Sequence, residues 1–120
     1  MENLSDESPS VLDIDALMTR VDFDKEFAAD LMRLFLEDGP KRVEALKQGL
    51  YAQDPQLAAK SAHSLKGMSG TLCAPELMNT ALEIEMAIKE ERENDLDALH
   101  LRIENLTSRL LQEINDWLKQ

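Results

Sequence analysis

The sequence contains two histidines, and one of them has neighbours that suit nucleophilic chemistry on phosphorus. An exposed imidazole has a pKa of about 6.5, so near neutral pH a large share of it is unprotonated and nucleophilic. Attack by His63 on an acyl phosphate would give a phosphohistidine. Lys66 follows one helical turn later, where its ammonium group can offset the charge of the phosphoryl oxygens. These residues predict a phosphoacceptor histidine with a charge-stabilising lysine.

Small residues share the helix face on which His63 is expected to lie. Helical periodicity places Ala59, Gly67 and Gly70 on the side of His63 and leaves the opposite side mainly apolar. Each glycine costs about 0.8–1 kcal/mol relative to alanine in a helix interior. The glycines could let a neighbouring helix approach closely, but their side of the helix is expected to face solvent. We therefore expect Gly67 and Gly70 to give a partner protein access to His63.

The residues around His63 are also unusual in charge. The chain has a net charge of −11, yet the stretch from Gln56 to Pro75 contains no acidic residue and has only Lys60 and Lys66 as charged side chains. Such a face is expected to tolerate an incoming anion. Methionine commonly fills cores, but its position near this face suggests that Met68 belongs to a docking rim. The predicted docking residues are Ala59, Lys60, Gly67, Met68 and Gly70.

The remaining residues capable of chemistry lack such surroundings. His100 is predicted to be a solvated or partly packed histidine. Asp97 and His100 are spaced like metal ligands, but a metal site in a helical bundle needs matching ligands on facing helices, so none is predicted. Cys73 has no nearby histidine to act as a base, and a catalytic thiol is not predicted either.

The composition predicts that helices position these residues. Hydrophobic residues make up 43% of the chain, aromatic residues only 4%, and there are four glycines and four prolines. Leu, Ala, Ile and Met supply most of the apolar volume, which favours helices over sheets. Apolar spacing and capping signals predict a flexible tail over residues 1–10 and a domain over residues 11–120. Its helices are expected near residues 11–18, 24–38, 40–53 and 55–72, followed by a fifth helix that includes residues 77–88 and a last one from about residue 94 to 117.

Helices of three turns or more joined by short loops fold most simply as an antiparallel up-down-up-down four-helix bundle, with the short first helix as an addition. The acidity argues against binding to nucleic acid or to a membrane surface. No apolar run reaches the length of a membrane span, and no signal-peptide pattern is present. A single cysteine fits a reducing compartment, so a cytoplasmic location is expected.

The run AHSLKGMSG, from Ala62 to Gly70, resembles the phosphorylation motif of histidine-containing phosphotransfer (HPt) domains. Upstream residues 27–31 and 34–35 and downstream residues 74–77 extend the resemblance, which covers about residues 12–115. It implies a monomeric four-helix bundle that relays a phosphoryl group in a multistep two-component pathway. The implied partners are the receiver domains of response regulators and a hybrid sensor histidine kinase.

The resemblance implies a role for each motif residue. His63 corresponds to the phosphorylated residue, Lys66 to the electrostatic helper, and Gly67 to the small residue beside it. Cys73 departs from the family, which commonly has glycine at that turn, so the turn geometry is open. The receiver would contribute the aspartate and Mg²⁺, so the chain is expected to need no cofactor and to have no autokinase activity.

Three alternative functions fit the residues less well. In the dimerisation helices of a histidine kinase an acidic residue usually follows the acceptor histidine, whereas Ser64 follows here, and no Gly-rich nucleotide site is visible. A helical adaptor or inhibitor acting by contact alone would explain the acidity but not the region without carboxylates. An enzyme is disfavoured because no catalytic set of side chains can be assembled.

Overall fold

The computed structural model describes residues 9–120, which form five α-helices and no strand. Helices α2 to α5 form the antiparallel four-helix bundle, and the short α1 packs on α2. The predicted fold class is therefore confirmed. The predicted tail over residues 1–10 lies outside the described residues except for its last two. The helices are α1 (Ile14–Arg20), α2 (Lys25–Tyr51), α3 (Pro55–Thr71), α4 (Pro75–Lys89) and α5 (Glu93–Leu118).

Helix α2 is continuous where the sequence predicted two helices with a break at Gly39 and Pro40. That prediction was wrong. Proline keeps a φ that a helix accepts, and its cost is the lost hydrogen bond to the carbonyl four residues earlier. Packing of α2 against α3 compensates this cost. Gly39 is buried beneath the Phe35 ring, where an added Cβ would lie 2.7 Å from the nearest ring atom. Gly39 therefore accommodates an aromatic side chain of its own helix and does not end the helix.

Helix α3 lies between α2 and α4, and α5 closes the bundle against those same two helices. The side of α3 that faces the core is lined by Ala58, Ala62, Leu65 and Ser69, all of them buried. Ser69 is compatible with this position because its hydroxyl donates to the Leu65 carbonyl oxygen at 2.6 Å. The opposite side of α3 is left for solvent, and it carries His63.

Four turns after helices place a residue other than glycine in the left-handed region, at Asp22, Gln53, Cys73 and Glu91, and in the first turn Phe23 follows Asp22 with a positive φ as well. At each turn the next amide donates to the carbonyl five residues earlier, as in a Schellman motif. Cys73 has a φ of 64°, and the Ala74 amide donates to the Ser69 carbonyl at 2.8 Å. The question about this turn is answered, since Cys73 adopts the conformation for which glycine is usually selected.

The turn at Gln53 gives a stability prediction. Gln53 is exposed and has a φ of 53°, a conformation that costs a residue with a Cβ roughly 1–2 kcal/mol. Gln53→Gly should raise the free energy of unfolding by about 0.5–1 kcal/mol, because the strain is relieved and no packing is lost. Gln48→Gly, at an exposed position within α2, is the matched control and should lower it by about 1 kcal/mol. Urea unfolding measures both, and destabilisation by Gln53→Gly would contradict the prediction.

Side chains from two helices hold the N-terminal segment and α1 in place. The Glu113 carboxylate on α5 accepts hydrogen bonds from the Val11 and Leu12 amides at 3.0 and 2.9 Å. Arg20, the last residue of α1, donates to the Gly70 and Thr71 carbonyls at 2.6 and 3.2 Å. Both carbonyls belong to the last turn of α3, where Gly70 also accepts from the Cys73 amide at 3.1 Å, and a cation at this end of a helix is favourable. Helix α1 is thus tied to the end of α3 that lies beyond His63.

Candidate functional site

Helix α3 presents His63 to solvent. The helix begins after Asp54, whose carboxylate accepts from the Leu57 amide at 3.2 Å, and Pro55 occupies its first turn. Because Ala62 and Leu65 are buried against the core, His63 is directed outward. The His63 side chain retains 67% of its accessible surface. The helical-wheel prediction for its orientation is confirmed.

Glu85 on α4 joins the two residues that the sequence paired. Its Oε2 lies 2.8 Å from His63 Nδ1, and its Oε1 lies 2.9 Å from Lys66 Nζ. One carboxylate therefore bridges the imidazole and the ammonium group, each through a separate oxygen. The sequence analysis did not identify Glu85. The stretch from residue 56 to 75 lacks acidic residues, but the face around His63 does not, because α4 supplies one.

The protonation state of Glu85 follows from its surroundings. Partial burial raises the pKa of this carboxyl, but the hydrogen bonds and positive charges of Lys66 and His63 lower it by more. The net pKa lies below the ordinary value, so the carboxylate is ionised at neutral pH. Its contribution to stability is present above the ordinary carboxyl pKa and is lost as the pH falls through the lowered one.

The Glu85 contact also determines which ring nitrogen of His63 can react. An ionised carboxylate can only accept hydrogen bonds, so the contact requires a hydrogen on Nδ1. In the neutral ring Nε2 then holds the lone pair, and it is the nitrogen available to an electrophile. The contact lies at the surface, where the His63 side chain is 67% exposed and that of Glu85 27%, so water and salt partly screen it.

The two glycines of the predicted face have different surroundings. A Cβ added at Gly67 would have no atom within 4 Å outside its own local helix, so this position is open. A Cβ at Gly70 would lie 3.1 Å from Met78 Sδ on α4. The expected open space is therefore present at Gly67. Gly70 instead permits the close approach of α4, the interpretation that was not favoured from the sequence.

The other predicted docking residues lie around His63 on α3. Ala59 is half-buried one turn before His63, and Lys60 is exposed. Met68 is half-buried and lines a shallow groove between α2 and α3. The groove was not predicted, because Leu34 was assigned to the apolar stripe of its helix, yet 56% of its surface is exposed. The groove residues are Leu31, Leu34, Phe35, Asp38, Met68, Thr71 and Leu72.

His100 lies on α5, apart from the residues around His63, and the structure gives it a different environment. Its side chain is mostly buried, and its Nε2 lies 3.7 Å from Glu104 of the same helix. The described residues contain no group of three or more His, Cys, Asp or Glu side chains placed to hold a metal ion. Within residues 9–120, no helix combines the length and apolar character of a membrane span.

Comparisons with known proteins agree with this architecture. The family model described as Hpt domain matches residues 30–118. No curated protein matches the chain significantly in sequence. The crystal structure of histidine-containing phosphotransfer protein B from Pseudomonas aeruginosa PAO1 has a TM-score of 0.82 and 24% identity, covering 91% of this chain and 95% of that one. The HPT domain of the Hpt sensor hybrid histidine kinase from Shewanella has a TM-score of 0.82 and 22% identity, with 92% and 95% covered.

The two structural likenesses establish the shared fold, and the family model adds the sequence pattern across most of the bundle. Histidine phosphotransfer in a phosphorelay, the function predicted from the motif, is confirmed for the chain, and no observation favours the adaptor alternative. Hpt domains are phosphocarriers that interact with response regulator receivers and hybrid kinases. The chain belongs to the Hpt domain family.

Proposed function

We propose that His63 is the phosphoacceptor and that its Nε2 takes the phosphoryl group from an aspartyl phosphate of a receiver domain. The observation that carries this assignment is the 2.8 Å contact between His63 Nδ1 and Glu85 on an otherwise exposed ring. It leaves the Nε2 lone pair directed away from the carboxylate. Transfer in the other direction uses the same atoms in reverse.

The bonds formed and broken in the transfer step balance without any further reactant. The N–P bond to Nε2 forms as the P–O bond to the aspartate breaks, and the aspartate leaves as a carboxylate. The imidazole, which carries its hydrogen on Nδ1, becomes positively charged as the new bond forms. Glu85 stabilises that charge through the existing hydrogen bond. The chain therefore positions a nucleophile and supplies charge, while Mg²⁺ and the aspartate belong to the receiver.

We propose a docking surface made of Ala59, Lys60, Gly67 and Met68, extended by the groove between α2 and α3, and we leave out Gly70 because its position borders α4 at Met78. Gly67 provides open space next to His63, and the groove offers exposed apolar side chains such as Leu34. Burial of apolar surface is the main source of affinity in protein association. Lys60 is exposed and lies at the edge of this surface.

Lys66 is proposed to stabilise the phosphoryl group. Lys66→Ala should reduce the rate of transfer from a phosphorylated receiver by roughly tenfold. This is less than the 100-fold or greater effect of a buried oxyanion donor, because Lys66 is partly exposed. Rapid-quench measurement of phosphoryl transfer tests this, with Lys60→Ala as a matched control that should have a smaller effect. A transfer rate unchanged by Lys66→Ala would remove Lys66 from the mechanism.

Four further expectations from the sequence belong to this proposal. They are that the protein is a monomer, is located in the cytoplasm, requires no cofactor of its own, and has no autokinase activity. The last expectation is supported by its role as a carrier, since His63 receives a phosphoryl group that has already been activated. Incubation with ATP and Mg²⁺ in the absence of a kinase should therefore leave the chain unlabelled.

Transfer from a receiver tests the proposed function as a whole. A receiver domain labelled on its aspartate with radioactive phosphate is mixed with the full chain. The chain should acquire phosphate that is labile in acid and stable in alkali, as a phosphoramidate bond is. A panel of receivers identifies the cognate partner by the fastest transfer. Failure of every receiver to label the chain, or an acid-stable label, would contradict the proposal.

A further inference from the structure

Lys66 is already paired before any phosphoryl group arrives. Its ammonium lies 2.9 Å from Glu85 Oε1, and its side chain is 29% exposed. No other carboxylate among residues 9–120 forms an ion pair with it. To stabilise the phosphoryl group, Lys66 must therefore either form ion pairs with both anions at once or leave Glu85.

The bridging geometry allows Lys66 to move without disturbing His63. Glu85 uses Oε1 for Lys66 and Oε2 for His63 Nδ1, so Lys66 can leave Oε1 without taking an oxygen that His63 uses. Lys66 and His63 are one turn apart on α3, and side chains at this spacing are neighbours on a helix surface. The long, flexible lysine side chain can therefore turn from α4 towards Nε2 while its backbone stays in place.

Phosphorylation changes the charges on both sides of Lys66. The phosphoryl group brings a charge of about −1.5 to −2 and three acceptor oxygens, compared with −1 on the Glu85 carboxylate. At the same time the phosphorylated ring becomes positively charged while Nδ1 keeps its hydrogen. Glu85 then has a cationic partner in the ring itself. Phosphorylation of His63 therefore attracts Lys66 to the phosphoryl oxygens, and the positive charge that it creates on the ring replaces the lost ammonium as the partner of the Glu85 carboxylate.

We propose that Lys66 exchanges partners during the relay, bonding to Glu85 while His63 is unmodified and to the phosphoryl oxygens once Nε2 is phosphorylated. This inference rests on the proposed phosphorylation of His63. Glu85 acts as a positioning residue that orients the ring in both states and restrains Lys66 in one. It also competes with the phosphoryl group for Lys66, and so limits how long the phosphohistidine persists.

The test needs no receiver. The full chain is phosphorylated with potassium phosphoramidate, in which the N–P bond to His63 forms as the bond from phosphorus to ammonia breaks. Phosphorus NMR follows the decay of the phosphohistidine, and ¹⁵N NMR follows the Lys66 ammonium. The Lys66 signal should move on phosphorylation in the wild-type chain. In the Glu85→Gln variant the unmodified chain should already show the signal of an unpaired ammonium.

Lifetimes supply the second readout. Glu85→Gln should lengthen the phosphohistidine lifetime by at least about threefold, because Lys66 is no longer shared. In a Lys66→Ala background, Glu85→Gln should lengthen the phosphohistidine lifetime clearly less, because only the loss of the Glu85 contact with the His63 ring then remains. Glu83→Gln, on the same helix and facing Arg102, is the matched control and should change neither readout.

Two results would overturn the exchange. One is a Lys66 signal that does not move when His63 is phosphorylated. The other is an equal effect of Glu85→Gln with and without Lys66, which would mean that the carboxylate acts on the ring alone. If phosphoramidate modifies His63 but no receiver labels the chain, the proposed function is contradicted. The Lys66 signal and the phosphohistidine lifetimes still decide whether Lys66 exchanges partners.

Discussion

Replacing His63 by glutamine is expected to lower phosphoryl transfer from a phosphorylated receiver by a factor of at least about 10³, as expected when a nucleophile is removed. Glutamine keeps a similar length and polarity but has no ring nitrogen with a free lone pair. The side chain at this position is exposed, so the fold should not depend on it. Circular dichroism and urea unfolding of the variant should match those of the wild-type chain.

His100→Gln is the matched control for this result. His100 is the other histidine of the sequence, and it lies on α5 with a mostly buried side chain and no lysine or open glycine beside it. Transfer to this variant should remain within about twofold of wild type at equal folded concentration. Labelling that survives His63→Gln and disappears in His100→Gln would show that His100, and not His63, accepts the phosphoryl group.

Gly67→Leu is expected to separate docking from folding. A Cβ added at Gly67 meets no atom within 4 Å outside its own local helix, so a larger side chain starts in open space there, and leucine is favoured over glycine in a helix interior by about 0.8–1 kcal/mol. The variant should therefore be slightly more stable in urea. An extra side chain forced into a packed interface costs about 1–3 kcal/mol. Receiver affinity should accordingly fall roughly tenfold or more, measured by calorimetry with an unphosphorylated receiver.

Gly67→Ala and Gly70→Leu make this test specific. Gly67→Ala should give a similar gain in stability with a much smaller loss of affinity, because one methyl group fills little of the space. Gly70→Leu should lower stability, since its Cβ already meets Met78 at 3.1 Å. If Gly67→Leu folds normally and binds the receiver as tightly as wild type, Gly67 does not lie in the interface.

Much of the site could be predicted because it lies within a single helix. The orientation of His63 and the openness of Gly67 depend on the period of α3, which the apolar positions Ala62 and Leu65 define. Gly70 was misjudged because its side of the helix borders α4. At the edge of a helix face, a residue lies in solvent or against the next helix according to the distance between the two helices. A helical wheel of one helix does not give this distance.

Glu85 could not be assigned from α3 alone, because it comes from the next helix. The signal that could have found it is the register of the α3–α4 hairpin. His63 lies ten residues before the turn at Cys73, and Glu85 lies twelve residues after it, so the two are at nearly the same height. Counting outward from a predicted turn would have brought an acidic residue next to the histidine.

The break predicted at Gly39 failed for a different physical reason. Gly followed by Pro is the usual sequence at the boundary between two helices, and local preference favours a break there. The bundle requires α2 to span its full length, and burial of the helix against α3 compensates the proline. The Phe35 ring over Gly39 is a tertiary contact that local signals do not report.

The central claim is that the phosphoryl group resides on Nε2 of His63, with Nδ1 bonded to Glu85. Phosphorus–proton correlation NMR on the chain, after transfer from a phosphorylated receiver, identifies both the residue and the ring nitrogen that carries phosphorus. The expected result is one phosphorus resonance coupled to the ring protons of His63 in the pattern of an Nε2 adduct. Phosphorus on Nδ1 of His63, or on any other residue, would contradict this assignment.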